Sequence, residues 1–539
     1  MTMNRGWMYA AAGLLWVGWG QSLAVERAQP SAVARSHVAA PLSQAPGRAP
    51  SPAMSRLSVS GRLQVTTDLG VPASDSVIVE DRGAGGYLDV MQGSRQDLAG
   101  APQIEVLGGG RYRVTVATSD MLPTGMYRGT LRLRMCTETP CVHPIANASA
   151  SAPYRIDVAW ANPGEWEMFQ RDAAHTGYVP IALRAPSITK LWERHGYDGT
   201  WGTGPSGVTT APGRAYASFR TDDALYSRWM LSALDSKTGS IVWRQDFGDF
   251  FALNGPSVKG DRVYVATTGG SLWTYLWSFD AVDGTLQAQS LFESQHASVL
   301  APTIWQGIAY TNGGYYGGGT YAFDADDGMP LWSAFSGEHY GSTPAVSDAK
   351  VYYFDGNALL IYDAVDGELI GRIADPNPPS SSTPWLNSAP MLGSSDHVIA
   401  QSRNTTVNGR FLVDYSPAAD AARWSTTKRY STHPATAHGV IYAGSSNPLS
   451  FDAIDEDSGQ VLWSWLPEGT DTKFRNNVVL TRNLAFVSTD RAVYAIDLAT
   501  RRAVWSYPVP GTLSISGDGM LYLLTGQFSS GRLLAFRIY

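Results

Sequence analysis

The chain has 539 residues with a formal net charge of −7 and only 16% charged residues. That balance excludes a nucleic-acid binder, which carries a basic patch or stripe, while the length leaves room for two folded domains. An aromatic content of 11% and 55 glycines suit many short strands joined by tight turns.

Residues 1–24 read as a secretory signal. Arg5 supplies the positive start, Gly6 to Gly20 the apolar run, and Ser22-Leu23-Ala24 the small-x-small cleavage site. The apolar run falls short of the ~20 residues a spanning helix needs, and no cysteine stands near the cleavage site to take a lipid. A periplasmic or secreted mature protein without stable membrane insertion is therefore expected. Residues 25–55 are rich in Pro, Ala, Ser and Arg, with Glu26 the one acid and no aromatic residue. Such a stretch cannot bury enough apolar surface to fold, so it reads as a disordered, slightly basic leader.

Residues 56–160 alternate polar and apolar residues without a helical period, as in Arg111-Tyr112-Arg113-Val114-Thr115-Val116 and Tyr154-Arg155-Ile156-Asp157-Val158. Short strands over about 105 residues suit an immunoglobulin-like β-sandwich. The run Leu122 to Thr130 resembles a strand start in immunoglobulin-like modules of secreted bacterial proteins. Both cysteines of the chain, Cys136 and Cys141, lie here, and export through an oxidising compartment favours a disulfide between them. A metal pair is the poorer reading, since Cys-x4-Cys has only His143 nearby.

From about residue 163 onward one pattern recurs: an apolar pair running into Asp, Gly four residues later, and Trp four after that. Its clearest copies are Asp235/Gly239/Trp243, Asp324/Gly328/Trp332 and Asp455/Gly459/Trp463. Asp497 is followed by Arg501 in the Gly place and then Trp505. Asp280/Gly284 reaches Ala288, Asp363/Gly367 reaches Gly371, and a degenerate copy ends at Trp424. This is a hairpin in which Asp accepts from turn amides and Gly supplies positive φ. A recurrence of 39 to 53 residues matches a four-stranded propeller blade. Trp192 has no hairpin before it, and Leu533 to Arg537 has no Trp strand after it. Joining them gives an eight-bladed β-propeller over 163–539 whose last blade is closed by the N-terminal strand.

These repeats, together with the leader Glu165-Trp166-Glu167-Met168-Phe169-Gln170-Arg171-Asp172-Ala173-Ala174-His175-Thr176-Gly177, resemble the pyrroloquinoline quinone (PQQ)-like β-propeller family. That family includes quinone- and calcium-dependent alcohol dehydrogenases and the propeller lipoprotein of the outer-membrane barrel assembly machine. For the enzymes the resemblance implies adjacent cysteines over the cofactor, a Glu/Asn/Asp calcium set and an Asp base, yet no cysteine follows Cys141.

Other catalytic patterns are missing: no Gly-x-Ser-x-Gly, no His-Glu-x-x-His and no Gly-Lys phosphate loop occurs. Gly202 to Gly207 matches Gly-x-Gly-x-x-Gly, but a strand-like segment follows it where a pyrophosphate needs a helix N-terminus. The acidic turns at Asp324/Asp326/Asp327 and Asp455/Glu456/Asp457 are turn residues without calcium-loop spacing, and His175 is expected to make a structural hydrogen bond beneath the ring. Loops at the end of the ring where the innermost strands begin are the expected binding face. Trp201, Asn254, Tyr315, Tyr316, Trp385, Asn387, His433 and Arg475 are its candidates. The resulting expectation is a monomeric, non-enzymatic binding or scaffolding protein that meets a cell-envelope or extracellular protein and needs no cofactor. A PQQ- and calcium-dependent dehydrogenase and a glycan-binding propeller are the alternatives.

Overall fold

The computed structural model describes residues 35–39, 57–83, 85–92, 97–195, 207–223, 226–248, 250–268, 274–314, 316–335, 341–377, 389–402, 409–526 and 531–539. The expected signal segment lies outside these residues.

The N-terminal module consists of two sheets. One orders Leu57–Ser60, Ser74–Asp81, Arg111–Ala117 and Gln103–Gly108; the other orders Arg35–Ala39, Tyr87–Met91, Gly125–Cys136, Pro144–Ala159 and Leu63–Asp68. Leu63–Asp68 runs parallel to its partner and every other pair is antiparallel. Alternation puts Tyr112, Val114 and Val116 of one sheet and Leu88, Val90, Leu131 and Leu133 of the other into the same core. Cys136 and Cys141 are joined, with Cα atoms 5.5 Å apart.

The disordered leader expected over 25–55 is corrected at Arg35–Ala39, which forms an edge strand on Tyr87–Met91. Composition did not show this because an open sheet edge captures an extended segment through backbone hydrogen bonds, which make no demand for apolar side chains.

Eight antiparallel sheets follow in succession. Six have four strands, and in the second and third the innermost strand is broken in two. In the last sheet Thr189–His195 pairs with Arg532–Arg537, so the first strand of the ring completes its final blade. Blades are numbered here in chain order, from 209–248 as blade 1 to 512–537 as blade 8.

The Asp turns form as the sequence implies. Asp235, Asp280, Asp324, Asp363, Asp455 and Asp497 each accept backbone N–H groups of their own turn at 2.7 to 3.3 Å. The Trp, however, does more than anchor its own strand. Four of the indoles reach the following blade and donate to the residue just after that blade's turn Asp: Trp192 to Ser236 O at 2.9 Å, Trp243 to Ala281 O at 3.1 Å, Trp332 to Ala364 O at 3.0 Å and Trp424 to Glu456 O at 2.9 Å. Tyrosines of second strands supply the same bond from Tyr264 to Ala325 O, where Ala288 stands in the Trp place. The repeat is thus an interblade clasp as much as a turn.

The two units meet at blades 7 and 8. Arg482 Nη1 donates to Gly70 O at 2.9 Å and lies 3.6 Å from the Asp120 carboxylate. Trp160 donates to Gly517 O at 2.8 Å and packs on Tyr539 with ring centroids 5.1 Å apart. Among the described residues no helix is long and apolar enough to cross a membrane.

Candidate functional site in the axial channel

The innermost strands would leave a row of unpaired amides along the channel, and the leader from Glu165 to Leu183 takes them up. Thr210 N donates to Trp166 O, Val258 N to Glu167 O, Val346 N to Ala173 O, Leu392 N to Ala174 O, Thr436 N to Thr176 O and Leu480 N to Gly177 O, all between 2.7 and 2.9 Å. Blade 3 is reached by the bond between His175 Nε2 and Thr303 Oγ1 at 3.2 Å, and blade 8 by Gly517 N donating to Glu165 Oε2 at 2.9 Å. The leader therefore touches every blade.

Winding a short segment around the axis needs sharp backbone changes. Gln170, Arg171 and His175 adopt φ of 48°, 82° and 60°, conformations that cost on the order of 1 to 3 kcal/mol each and persist only when the surroundings impose them. At Gly177, with φ +64°, a Cβ would come within 2.8 Å of Ala435 and 3.0 Å of Val478 O, so only glycine fits. Asp172 braces the same turn by accepting from Thr176 N at 3.0 Å and Thr176 Oγ1 at 2.6 Å.

Three rings occupy the centre. Phe169 stands nearly perpendicular to the rings of His175 and His433, with centroids 5.1 and 5.0 Å apart. His175 is buried, with Nδ1 2.7 Å from Pro390 O. Burial depresses its pKa to about 4, against the opposing effects of the Pro390 carbonyl and Asp172. Its place is inside the ring, between blades 3 and 5, rather than beneath it. His433 keeps some solvent contact, yet enclosure by the surrounding chain, then Arg410 and His175, also bring it to about 4. The backbone of His433 joins two blades, since His433 N donates to Asn476 O at 2.8 Å and Val478 N to His433 O at 3.0 Å. Opposite it the blade 7 strand bulges between Arg475 and Val478, and Asn476 takes a left-handed φ of 63°.

Of the residues singled out from the sequence, His433 and Arg475 come together at this blade 6–7 junction. Asn254 is buried, donating to Leu300 O at 3.0 Å and accepting from Ala266 N at 2.7 Å, so it clips blade 2 to blade 3 and offers no free contact. Tyr316 is 59% exposed. The glycines beside it allow close approach: a Cβ at Gly317 would lie 2.3 Å from Glu293 O. Trp201, Tyr315, Trp385 and Asn387 lie outside the described residues. Phe169, Gln170 and Asn477 went unrecognised because no spacing marks them.

A quinone with calcium requires convergent polar groups and an acidic cage in the channel. Here the inner amides go to the leader and Phe169 stands between two imidazoles. Among the described residues the one cluster of three potential metal ligands is Asp89, Cys136 and Cys141, in the N-terminal module. The described residues of the ring do not fit the group.

The fold and its strapped channel define a PQQ-like β-propeller. The family model for outer membrane protein assembly factor BamB matches residues 175–303 and 371–516, and the chain belongs to that family. The tetrathionate hydrolase of Acidithiobacillus ferrooxidans is 23% identical over 432 residues, covering 70% of this chain and 79% of that protein. Among solved structures, BamB from Moraxella catarrhalis aligns with a TM-score of 0.50 at 14% identity, covering 65% of this chain and 100% of its own. Quinohemoprotein alcohol dehydrogenase ADHIIG from Pseudomonas putida HK5 aligns at 0.52 and 14%, covering 70% and 80%. At these identities the structural likeness speaks to the fold alone.

Proposed function

We propose that the protein is an exported, non-enzymatic binding propeller whose loop-bearing rim meets a protein of the cell envelope, with an immunoglobulin-like module holding the ring at blades 7 and 8. The observation that carries this reading is the strapped channel. With the inner strands' amides spent on the leader, recognition falls to the rim, where Tyr316 and Arg475 are exposed and loops on a rigid scaffold supply contacts. Membership of a family described by an outer membrane assembly factor supports a cell-envelope setting. The test is proximity cross-linking in cells with the intact protein and a Tyr316→Ala/Arg475→Ala double variant. Loss of a specific cross-link at unchanged melting temperature supports the reading; identical cross-link patterns would sink it.

A second reading has its own support. A relative named tetrathionate hydrolase, aligned over most of both chains, favours hydrolysis of a sulfur–sulfur bonded anion in this ring. Incubation with tetrathionate decides it: catalytic release of thiosulfate would displace the binding role, and no release above the buffer rate would retire the hydrolase.

A further inference from the structure

We propose that the seam between blades 5 and 6 is a proton-operated latch: protonated Asp414 keeps blade 5 shut on the blade 6 turn, and loss of that proton loosens the seam. The latch is a property of the ring itself and stands whichever reading of the function holds.

The internal repeat picks the site out. Asp414 pairs with Trp424 in the register of its blade. The same position is alanine in blades 1, 3, 6, 7 and 8, Ser278 in blade 2 and Ile361 in blade 4. Blade 5 alone buries a carboxyl there. The residue before the Trp departs as well, since Arg423 stands where other blades have an uncharged side chain such as Val242, Leu331 or Leu462.

These departures meet at the seam. Arg423 Nη1 donates to Asp414 Oδ2 at 3.0 Å and also to the His397 ring, whose Nδ1 lies 3.7 Å from the same oxygen. Nη2 of the same arginine crosses to blade 6 and donates to Asp457 O at 3.1 Å. Beside it Trp424 Nε1 donates to Glu456 O at 2.9 Å. Glu456 is itself buried, its carboxylate accepting from Ser394 Oγ of blade 5 at 2.8 Å and from Thr436 Oγ1 of blade 6 at 3.1 Å. Asp414 Oδ1, by contrast, meets no hydrogen-bond donor among the described residues. The charged and titratable groups facing Asp414 are thus Arg423 and His397 from its own blade and Glu456 and Asp457 from the blade 6 turn.

One guanidinium cannot compensate this surrounding. Burial outweighs Arg423, and Glu456 and Asp457 add to it, so the carboxyl keeps its proton up to about 7. In an opened seam water reaches Oδ1 and the carboxyl returns towards the ordinary Asp value of about 4. Between those values the closed seam holds a proton that the open one has lost. Its stabilisation is therefore complete below about 4 and is lost as pH rises to about 7. Opening of one seam loosens the ring locally without global unfolding.

The experiment is hydrogen exchange of the tryptophan indole N–H groups in the full chain, followed by NMR from pH 5 to pH 7. Trp424 reports the seam, because its N–H exchanges when the bond to Glu456 O breaks. Trp243 is the internal reference: it donates to Ala281 O at 3.1 Å across an equivalent seam, with Ala233 in the Asp414 place. The ratio of the two protections cancels the intrinsic pH dependence of indole exchange. Expected is a ratio that falls ~10-fold or more from pH 5 to pH 7, since one proton shifts the opening equilibrium by up to ~10-fold per pH unit. In Asp414→Asn and in Asp414→Ala, the latter giving the residue of blade 1, the ratio should stay constant. A constant ratio in the natural chain overturns the latch, and so does a fall that persists in either variant. Where one variant fails to fold, the other variant and the natural chain still decide.

Discussion

The indole of Trp192 lies directly over the backbone of Gly239, so that a Cβ built on that glycine would come within 2.6 Å of the ring. The same contact recurs between Trp243 and Gly284 at 2.7 Å, Trp332 and Gly367 at 2.5 Å, and Trp424 and Gly459 at 2.7 Å. Gly239→Ala therefore combines a left-handed φ of +67° with overpacking of an indole, at a cost of about 2 to 4 kcal/mol. Gly213, at φ +72° with open space around its Cβ position, isolates the backbone part, and Gly213→Ala should cost about 1 kcal/mol. Denaturant midpoints of the two variants check this; equal losses would remove the clasp from the explanation.

Closure gives the next expectation. Removing Phe536 to Tyr539 deletes the partners of Thr189 and Lys190 and the ring that packs on Trp160. It opens a sheet edge and loosens the N-terminal module together. Light scattering on heating should show early aggregation of the truncated protein. Removal of residues 40–50 leaves both contacts in place and should leave the onset temperature nearly unchanged. Equal onset temperatures for the two truncations would contradict closure through these strands.

How much of this was legible in the sequence follows from what each device requires. The Asp turns and the pairing of Thr189–His195 with Arg532–Arg537 were readable because local turn chemistry and strand counting repeat at a fixed period. The clasp was half readable: Asp-x-x-x-Gly-x-x-x-Trp was visible, but the Trp that covers a given Gly belongs to the preceding blade, 35 to 47 residues earlier. Arg501 shows the same logic. It takes the Gly place at φ 58°, and its guanidinium lies 5.9 Å from the Trp463 ring, a cation–π contact standing where bare backbone otherwise meets the indole. Asn254 was read as a rim contact because its neighbour 46 residues away, Leu300, is set only by tertiary structure. The edge strand Arg35–Ala39 escaped notice because backbone pairing leaves no compositional mark.

The depressed His175 titration carries a pH prediction. Unfolded, the imidazole takes a proton near pH 6.5; folded, it does so only near 4. Between those values the unfolded chain holds more protons, so this stabilisation is complete above 6.5 and is lost as pH falls towards 4, amounting to about 3 kcal/mol. Asp414 works oppositely, since burial raises its carboxyl to about 7 against the pull of Arg423 and its contribution is lost as pH rises. The natural chain alone therefore cannot separate them, and His175→Gln can. The stability difference between the natural chain and the variant should shrink by about 3 kcal/mol from pH 7 to pH 4. A difference independent of pH would contradict the buried neutral imidazole.

The disulfide closes a short loop. Cys136 and Cys141 are five residues apart in sequence, so their bond restricts the unfolded chain by about 2 kcal/mol at most. Intact-mass analysis after native alkylation should find no free thiol. A Cys136→Ser/Cys141→Ser double variant should lower the denaturant midpoint modestly without altering the propeller's transition. Two alkylated cysteines in the natural chain would overturn the bond.

The sharpest test of the strapped channel is Gln170. Its Nε2 donates to Pro434 O at 2.7 Å and Val478 O at 3.3 Å, and its Oε1 accepts from Asn477 Nδ2 at 2.9 Å. Asn477 in turn donates to Leu513 O and accepts from Leu513 N, both at 2.9 Å. One buried carboxamide thus ties the leader to blades 6, 7 and 8. Gln170→Leu keeps the volume but leaves these partners unsatisfied inside the ring, costing on the order of 2 to 4 kcal/mol. Gln170→Glu is more informative, because it alters little but the donor. At pH 7 a carboxylate would face two carbonyl oxygens in a buried site, and the carboxyl is held protonated at a cost that grows with pH. The variant's deficit should therefore be largest at pH 7 and narrow as pH falls to 4.5, where the protonated acid donates one of the two lost bonds. Urea unfolding of both variants at the two pH values reads this directly. A Gln170→Glu deficit that stays constant with pH would mean that the side chain reaches water and that the leader does not seal the axis.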